Sequence, residues 1–203
     1  MFCLIINNEI AFGPCSWSKY VFQVKIQELC NIGYELPDNL LIPLNITPNI
    51  KILPTDIDIP HYNEKIQQLV GPLYDIQDDC VNGHYELDDK PIEVVQNELI
   101  DKCAAIRWER EIQGITISIN DKDLFISTNR GERDIFLQTY QCMSDEVDWK
   151  FGDDWVKLTK TDLQTIVTAI FNHIQGVFVW EQQKQQEIKT AATLADLDNI
   201  DIS

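Results

Sequence analysis

Three histidines, three Asp-Asp pairs and six cysteines are the side chains of this sequence whose types could carry chemistry. His61, His84 and His173 are far apart and fall in different expected elements. An imidazole works as a base or shuttle only beside a group that uses its proton. With no nucleophile adjacent, these three read as capping or packing residues, and His173 borders a packed helix face. Asp78-Asp79, Asp88-Asp89 and Asp153-Asp154 could hold a hard cation or form a carboxylate dyad. All three pairs fall at expected turns or a helix entrance, where aspartate serves the backbone, and no EF-hand spacing surrounds them.

Cys3, Cys15, Cys30, Cys80, Cys103 and Cys142 form neither a CxxC pair nor a Cys/His array, which argues against zinc. They read as small hydrophobes, with a local Cys3–Cys15 bridge left open for oxidising conditions. No glycine-rich phosphate loop, G-x-S-x-G or H-E-x-x-H motif occurs. The expectation is a protein with no catalytic residues, no cofactor and no metal.

Composition narrows the class further. At 203 residues and 44% hydrophobic content the chain is long enough for a real core. Its 16 basic residues against 33 acidic ones give a formal charge of −17. Such a surface repels phosphate backbones and anionic lipids, so nucleic acid and membranes are not expected partners. The start, MFCLIINNEIAFGP, lacks the basic flank of a signal peptide, and no apolar run is long enough to cross a bilayer.

Hydrophobic spacing supplies the elements that must position any site. Phe2–Ile6 and Glu9–Phe12 are β-prone runs around Asn7-Asn8, a hairpin signal, and Gly13-Pro14 is expected to stop the second strand. Ser16 is expected to cap a helix from Trp17, with Tyr20, Val21, Val24 and Leu29 on one face and Gly33 past its end. Pro37, Pro43, Pro48, Pro54 and Pro60 exclude helix from residues 35–60 and favour edge strands. Two or three strands follow, with Asn82-Gly83 as a turn or a bulge. Pro91 suits a first helical position, and Ile92, Val95, Leu99, Cys103 and Ile106 make one stripe of a helix over 91–111.

Beyond Gly114, Ile115, Ile117 and Ile119 alternate with polar residues and pair with Leu124–Ser127 in a hairpin. Thr128 or Asn129 caps a helix carrying Ile135, Phe136 and Tyr140. A second hairpin, with Trp149 and Trp155, turns at Gly152-Asp153-Asp154. Thr159 and Asp162 then form a capping box for a long amphipathic helix. Its stripe is Leu163, Ile166, Val167, Ile170, Ile174 and Val177, widened by Phe171 and Phe178. After Trp180 the run EQQKQQEIK is polar apart from Ile188, so these turns are expected to leave the core and project. Trp149, Trp155 and Trp180 read as packing anchors. Candidate partner-binding residues are Phe171, Phe178, Trp180 and Ile188. The architecture expected is α+β: residues 1–90, a mixed ββα region with proline-rich edge strands, and residues 91–203, small hairpins and helices ending in the long amphipathic helix.

The segment 102–128, KCAAIRWEREIQGITISINDKDLFIST, resembles a theme of tailed-bacteriophage proteins encoded beside tail-fibre genes. Arg107-Trp108-Glu109, Gly114-Ile115 and Thr128 stand at its marked places. Trp155–Leu163, His173, Phe178, Glu181 and Ala191–Ile200 look like the rest of an uncharacterised C-terminal domain. Gly13-Pro14 with Trp17, Tyr62-Asn63 with Gly71-Pro72, and Tyr85–Pro91 look like the N-terminal portions of such proteins. The resemblance implies a tail-fibre assembly protein, a non-enzymatic chaperone that binds the fibre chain in the host cytoplasm. The alternative is a structural virion component fixed to a tail fibre or baseplate protein. A homo-oligomer stays open.

Overall fold

The computed structural model describes residues 1–40 and 43–203; Leu41 and Ile42, in the proline-rich stretch, lie outside the described residues. The chain divides into two compact units, Met1–Lys90 and Pro91–Ser203. Its class is α+β, with both helices and strands well represented.

In the first unit β1 (Phe2–Ile6) and β2 (Glu9–Cys15) form the opening hairpin. Asn7 and Asn8 take φ of 51° and 64°, as a tight two-residue turn requires. Gly13-Pro14 does not stop β2. The strand continues to Cys15 and absorbs the dipeptide as a register shift between the Phe2–Cys15 and Leu4–Phe12 pairs. Helix α1 (Lys19–Cys30) is capped by Ser18, not Ser16, and ends at Asn31 in the left-handed conformation, not near Gly33. It buries Phe22 and Ile26, while Tyr20 and Leu29 of the expected face are exposed. The cause is Trp17, which stays outside the helix: its indole N–H donates to the Asp38 carbonyl at 3.0 Å and its ring stacks on Phe22 at 5.2 Å. Phe2 and Phe12 meet this pair edge-on, so the Phe22 side of α1 turns inward.

Strands β3 (Leu44–Thr47), β4 (Ile50–Asp58), β5 (Gln67–Ile76) and β6 (Val81–Asp89) complete a sheet of order β2-β1-β4-β6-β5, with β3 also on β4. The β4–β6 pair is parallel. Of the proline-rich strands β3 lies at an edge, but β4 is interior despite Pro54. Met1 and Thr55 exchange backbone hydrogen bonds, so the Pro54 nitrogen faces away from β1. On that side β3 pairs no further than Ile52 and β6 starts at Thr55, so the proline interrupts no ladder bond.

Asn82-Gly83 is not a turn either. The chain reverses at 77–80, where the Gln77 N–H donates to the Cys80 carbonyl at 2.9 Å. Gly83 sits within β6 because a Cβ there would lie 3.0 Å from both the Tyr74 ring and Ile57. Strand β5, like β2, carries a Gly-Pro dipeptide, Gly71-Pro72, within a register shift. Cys3 and Cys15 are free thiols; Cys3 is buried and its sulfur accepts from the Thr55 hydroxyl at 3.1 Å.

In the second unit α2 (Ile92–Ile112) follows Pro91, which occupies the N-cap position rather than the first helical one. The hairpin β7 (Ile115–Ile119) and β8 (Lys122–Ile126) turns at Asn120 and Asp121, both at positive φ. Asn129 caps α3 (Arg130–Cys142) by accepting from the Glu132 N–H at 3.0 Å. Hairpin β9 (Glu146–Phe151) and β10 (Asp154–Thr159) leads into α4 (Lys160–Thr190), whose Thr159–Asp162 capping box is complete. A second box, Thr193–Asp196, opens the short α5 (Leu194–Asp198).

One core joins Ile119, Leu124, Ile126, Phe136, Val156, Leu158, Leu163, Ile166 and Ile170. Each such side chain contributes roughly 1.5–3 kcal/mol on burial. Trp149 stacks on Phe136 at 4.3 Å. Trp155 is no anchor: it is 67% exposed, because β10 turns Val156 and Leu158 inward and the alternate residue outward. Ile135 is exposed likewise.

Candidate functional site

The second unit concentrates its polar chemistry where α2 ends. Val95, Leu99 and Cys103 form its buried stripe at steps of four, and continuing that step reaches Arg107 and Glu111. Glu111 is therefore a carboxylate on a core-facing stripe, only 2% exposed. Such a group needs cations and hydrogen bonds. Arg107 Nη1 supplies one at 2.5 Å to Oε2, and Arg133 Nη2 from α3 supplies another at 2.7 Å to Oε1. Arg130 Nε stands 3.6 Å from the same Oε1. The buried Arg107 Nε makes no hydrogen bond but lies 3.4 Å from Glu181 Oε2 on α4.

Backbone groups are tied to the same place. The buried Thr128 hydroxyl donates to the Glu111 carbonyl at 2.6 Å and accepts from the Gly114 N–H at 3.0 Å. This is why Asn129 and not Thr128 caps α3. Gly114 has φ of 85°, where side-chain-bearing residues are strained, and a Cβ there would crowd the Phe125 ring and the Ile126 carbonyl. His173 Nε2 donates to the Arg110 carbonyl at 2.9 Å.

Aromatic rings complete the cluster. The Arg107 guanidinium lies over Phe178 at 5.2 Å, Arg110 over Trp180 at 4.1 Å, and Arg130 over Trp108 at 5.0 Å. The planar guanidinium can pair with a carboxylate and stack on a ring at once, which a lysine ammonium does less well. Burial pushes the Glu111 carboxyl up, but the hydrogen bonds and charges of Arg133 and Arg107 outweigh it and hold the group below its ordinary value.

Beside this cluster α3 and α4 leave a shallow apolar groove of about 240 Å³, formed by Leu137, Val167, Ile170, Phe171 and Ile174 together with Arg133 and Asp134. Phe171 is 61% exposed. Arg133 thus belongs to both the groove and the ion-pair cluster.

The candidate partner-binding residues separate accordingly. Phe171 lines the groove and Phe178 sits exposed under Arg107. Trp180 is half-buried beneath Arg110. Ile188 is not available: it is fully buried, and the expected projection of the Gln-rich turns does not occur. Those turns run along α2, whose Gln96 amide donates to the carbonyls of Ile188 and Ala191 at 3.2 and 3.4 Å and so closes the end of α4.

Arg107, Trp108, Gly114, Thr128, His173, Phe178 and Glu181 all converge here, while Glu109 is exposed and the acid at the centre is Glu111. Two signals mark the place in the sequence. All four arginines of the chain lie between 107 and 133, and Glu111 continues an apolar stripe. His61 and His84 lie exposed in the first unit, away from any such cluster. Among the described residues no group of three or more His, Cys, Asp or Glu side chains could hold a metal ion.

A family model described as a domain of unknown function, DUF4376, matches residues 94–203. The chain belongs to the DUF4376 family. No curated protein and no solved structure matches it. The DUF4376 match covers α2 from its first turn onward and therefore contains the arginine cluster, the groove and both capping boxes. Among the described residues no helix is long and apolar enough to cross a membrane.

Proposed function

We propose that this DUF4376 protein is a bacteriophage tail-fibre assembly protein, a non-enzymatic chaperone that holds the tail-fibre chain during assembly in the host cytoplasm. The observation that carries the reading is the groove between α3 and α4, where Phe171 stands 61% exposed beside Leu137 and near the exposed Phe178. Contiguous exposed apolar side chains on an otherwise polar surface mark a place for another protein. The residue pattern around Arg107, Gly114 and Thr128, which resembles proteins encoded beside tail-fibre genes, supplies the partner. A formal charge of −17 suits a holder that keeps a slow-folding client in solution without associating with itself.

Co-expression with the neighbouring fibre gene tests the proposal. Soluble fibre should rise with the wild-type protein and fall back when Phe171 is replaced by aspartate. Soluble yield that ignores the protein altogether would defeat it. Mass spectrometry of purified particles separates this function from a permanent place in the tail: a chaperone is absent or scarce there, and a structural component is present at fixed stoichiometry.

A further inference from the structure

We infer that the α3–α4 groove is a docking site for an amphipathic helix of a partner chain whose apolar face is flanked by carboxylates on one edge. The inference rests on the reading that this protein works by binding a partner, and it adds which surface and what partner chemistry. Residues 130 and 137 of α3, and 167, 171, 174 and 178 of α4, recur at helical spacing along one side of each helix. Two packed helices that leave an apolar furrow present the surface on which a third amphipathic helix lies. Leu137 and Phe171 are exposed along it, Phe178 is exposed seven residues further on α4, and the furrow of about 240 Å³ has room for a bulky side chain.

Charge selects the occupant. Both oxygens of Glu111 are engaged at 2.5 and 2.7 Å by Arg107 and Arg133. Arg130, at 3.6 Å with a side chain 68% exposed, is the least committed of the three. Its guanidinium lies over the exposed Trp108, so an incoming carboxylate would meet free N–H donors above an aromatic face. A basic edge would meet Arg130 and be repelled. On a chain of charge −17 whose four arginines all gather here, this face offers an acidic segment its best match. Asp134 lies in the groove itself and favours hydrogen-bond donors on the part of the incoming helix that meets it. A second copy of the chain is the competing occupant, and the test reads it as self-association.

The test uses the full chain and two fluorescein-labelled, end-blocked helical peptides. Both carry leucine at i, i+3, i+4 and i+7; one has glutamate along one flank and the other has lysine at the same positions. Fluorescence anisotropy should show the glutamate peptide binding at least about ten-fold tighter than the lysine peptide, and F171D should weaken it by about ten-fold or more. R130E should invert the preference between the peptides, a charge-swap response that a structural role for Arg130 does not produce. If R130E fails to fold by circular dichroism, R130Q should still erase the preference. Y20D, on exposed α1, should bind as wild type does.

Equal binding of the two peptides, indifference to F171D, or self-association of the wild type through this face that F171D abolishes would overturn the assignment. Failure of the peptide test with fibre still solubilised removes this surface and leaves the chaperone function. Peptide binding with an indifferent fibre does the reverse.

Discussion

The two units of this chain hold their elements together by different means. The first contains no arginine at all; its sheet and α1 close over Leu4, Phe22, Ile26, Leu36 and Ile52. The second has a comparable apolar core, yet α2, α3 and α4 also meet through one buried carboxylate and the guanidinium groups around it. Apolar packing is non-directional and tolerates sliding. A buried carboxylate with each oxygen held by a different arginine accepts few arrangements, and its desolvation cost offsets much of its attraction. We read the second arrangement as a device that sets how three helices register, with little net stability to show for it while it is intact.

The contrast is sharpest if one member of each is removed. E111Q should leave Arg133 without its counter-charge and Arg107 with Glu181 alone, and cost the second unit about 3–5 kcal/mol. F22A should cost the first unit a similar amount, about 3–5 kcal/mol, through a cavity. Hydrogen exchange read by mass spectrometry should show loss of protection confined to α2–α4 in the one and to β1–β6 and α1 in the other. Loss spread over both units in either variant would break the comparison.

Acid should act on the second arrangement in a defined direction. The folded Glu111 carboxyl lies below its ordinary value, so its contribution is fully present above the unfolded pKa and is lost as pH falls through the folded one. The stability gap between wild type and E111Q, measured by urea titration, should therefore be full near neutrality and shrink on acidification. A gap that widens in acid would contradict the assigned ionisation.

Smaller effects test the periphery of the cluster. T128V keeps the shape but leaves the Gly114 N–H and the Glu111 carbonyl short of a partner, and should cost about 1–3 kcal/mol. W155A removes a large ring that packs on nothing essential, and should change stability by no more than about 0.5 kcal/mol. A larger loss in urea unfolding would mean that β10 relies on its outer face.

Local signals were readable where the chemistry that sets them is itself local. Asn7-Asn8, the Thr159–Asp162 box and the stripe from Leu163 to Val177 each specify an element through near neighbours. Sheet order is not readable, because β4 finds β1 on one side and β6 on the other through pairings remote in sequence. The face of α1 was misjudged because Trp17, outside the helix, decides which side turns inward. Ile188 looked marooned in a glutamine-rich run, yet Gln96, 92 residues away, ties that turn down. Of the site, the motif residues are visible as a pattern, whereas Glu111 is marked only by continuing the stripe of Val95, Leu99 and Cys103.

The paired Gly-Pro dipeptides of β2 and β5 bear on how this molecule behaves in company. These strands are the first and last in the sheet order β2-β1-β4-β6-β5, and each carries a residue without an N–H inside a shifted register. A strand arriving from another chain would find these two rims discontinuous and poorly suited to extension, unlike the proline-free edge of β3. Two of the sheet's edges thereby resist the backbone pairing by which β-rich chains join one another.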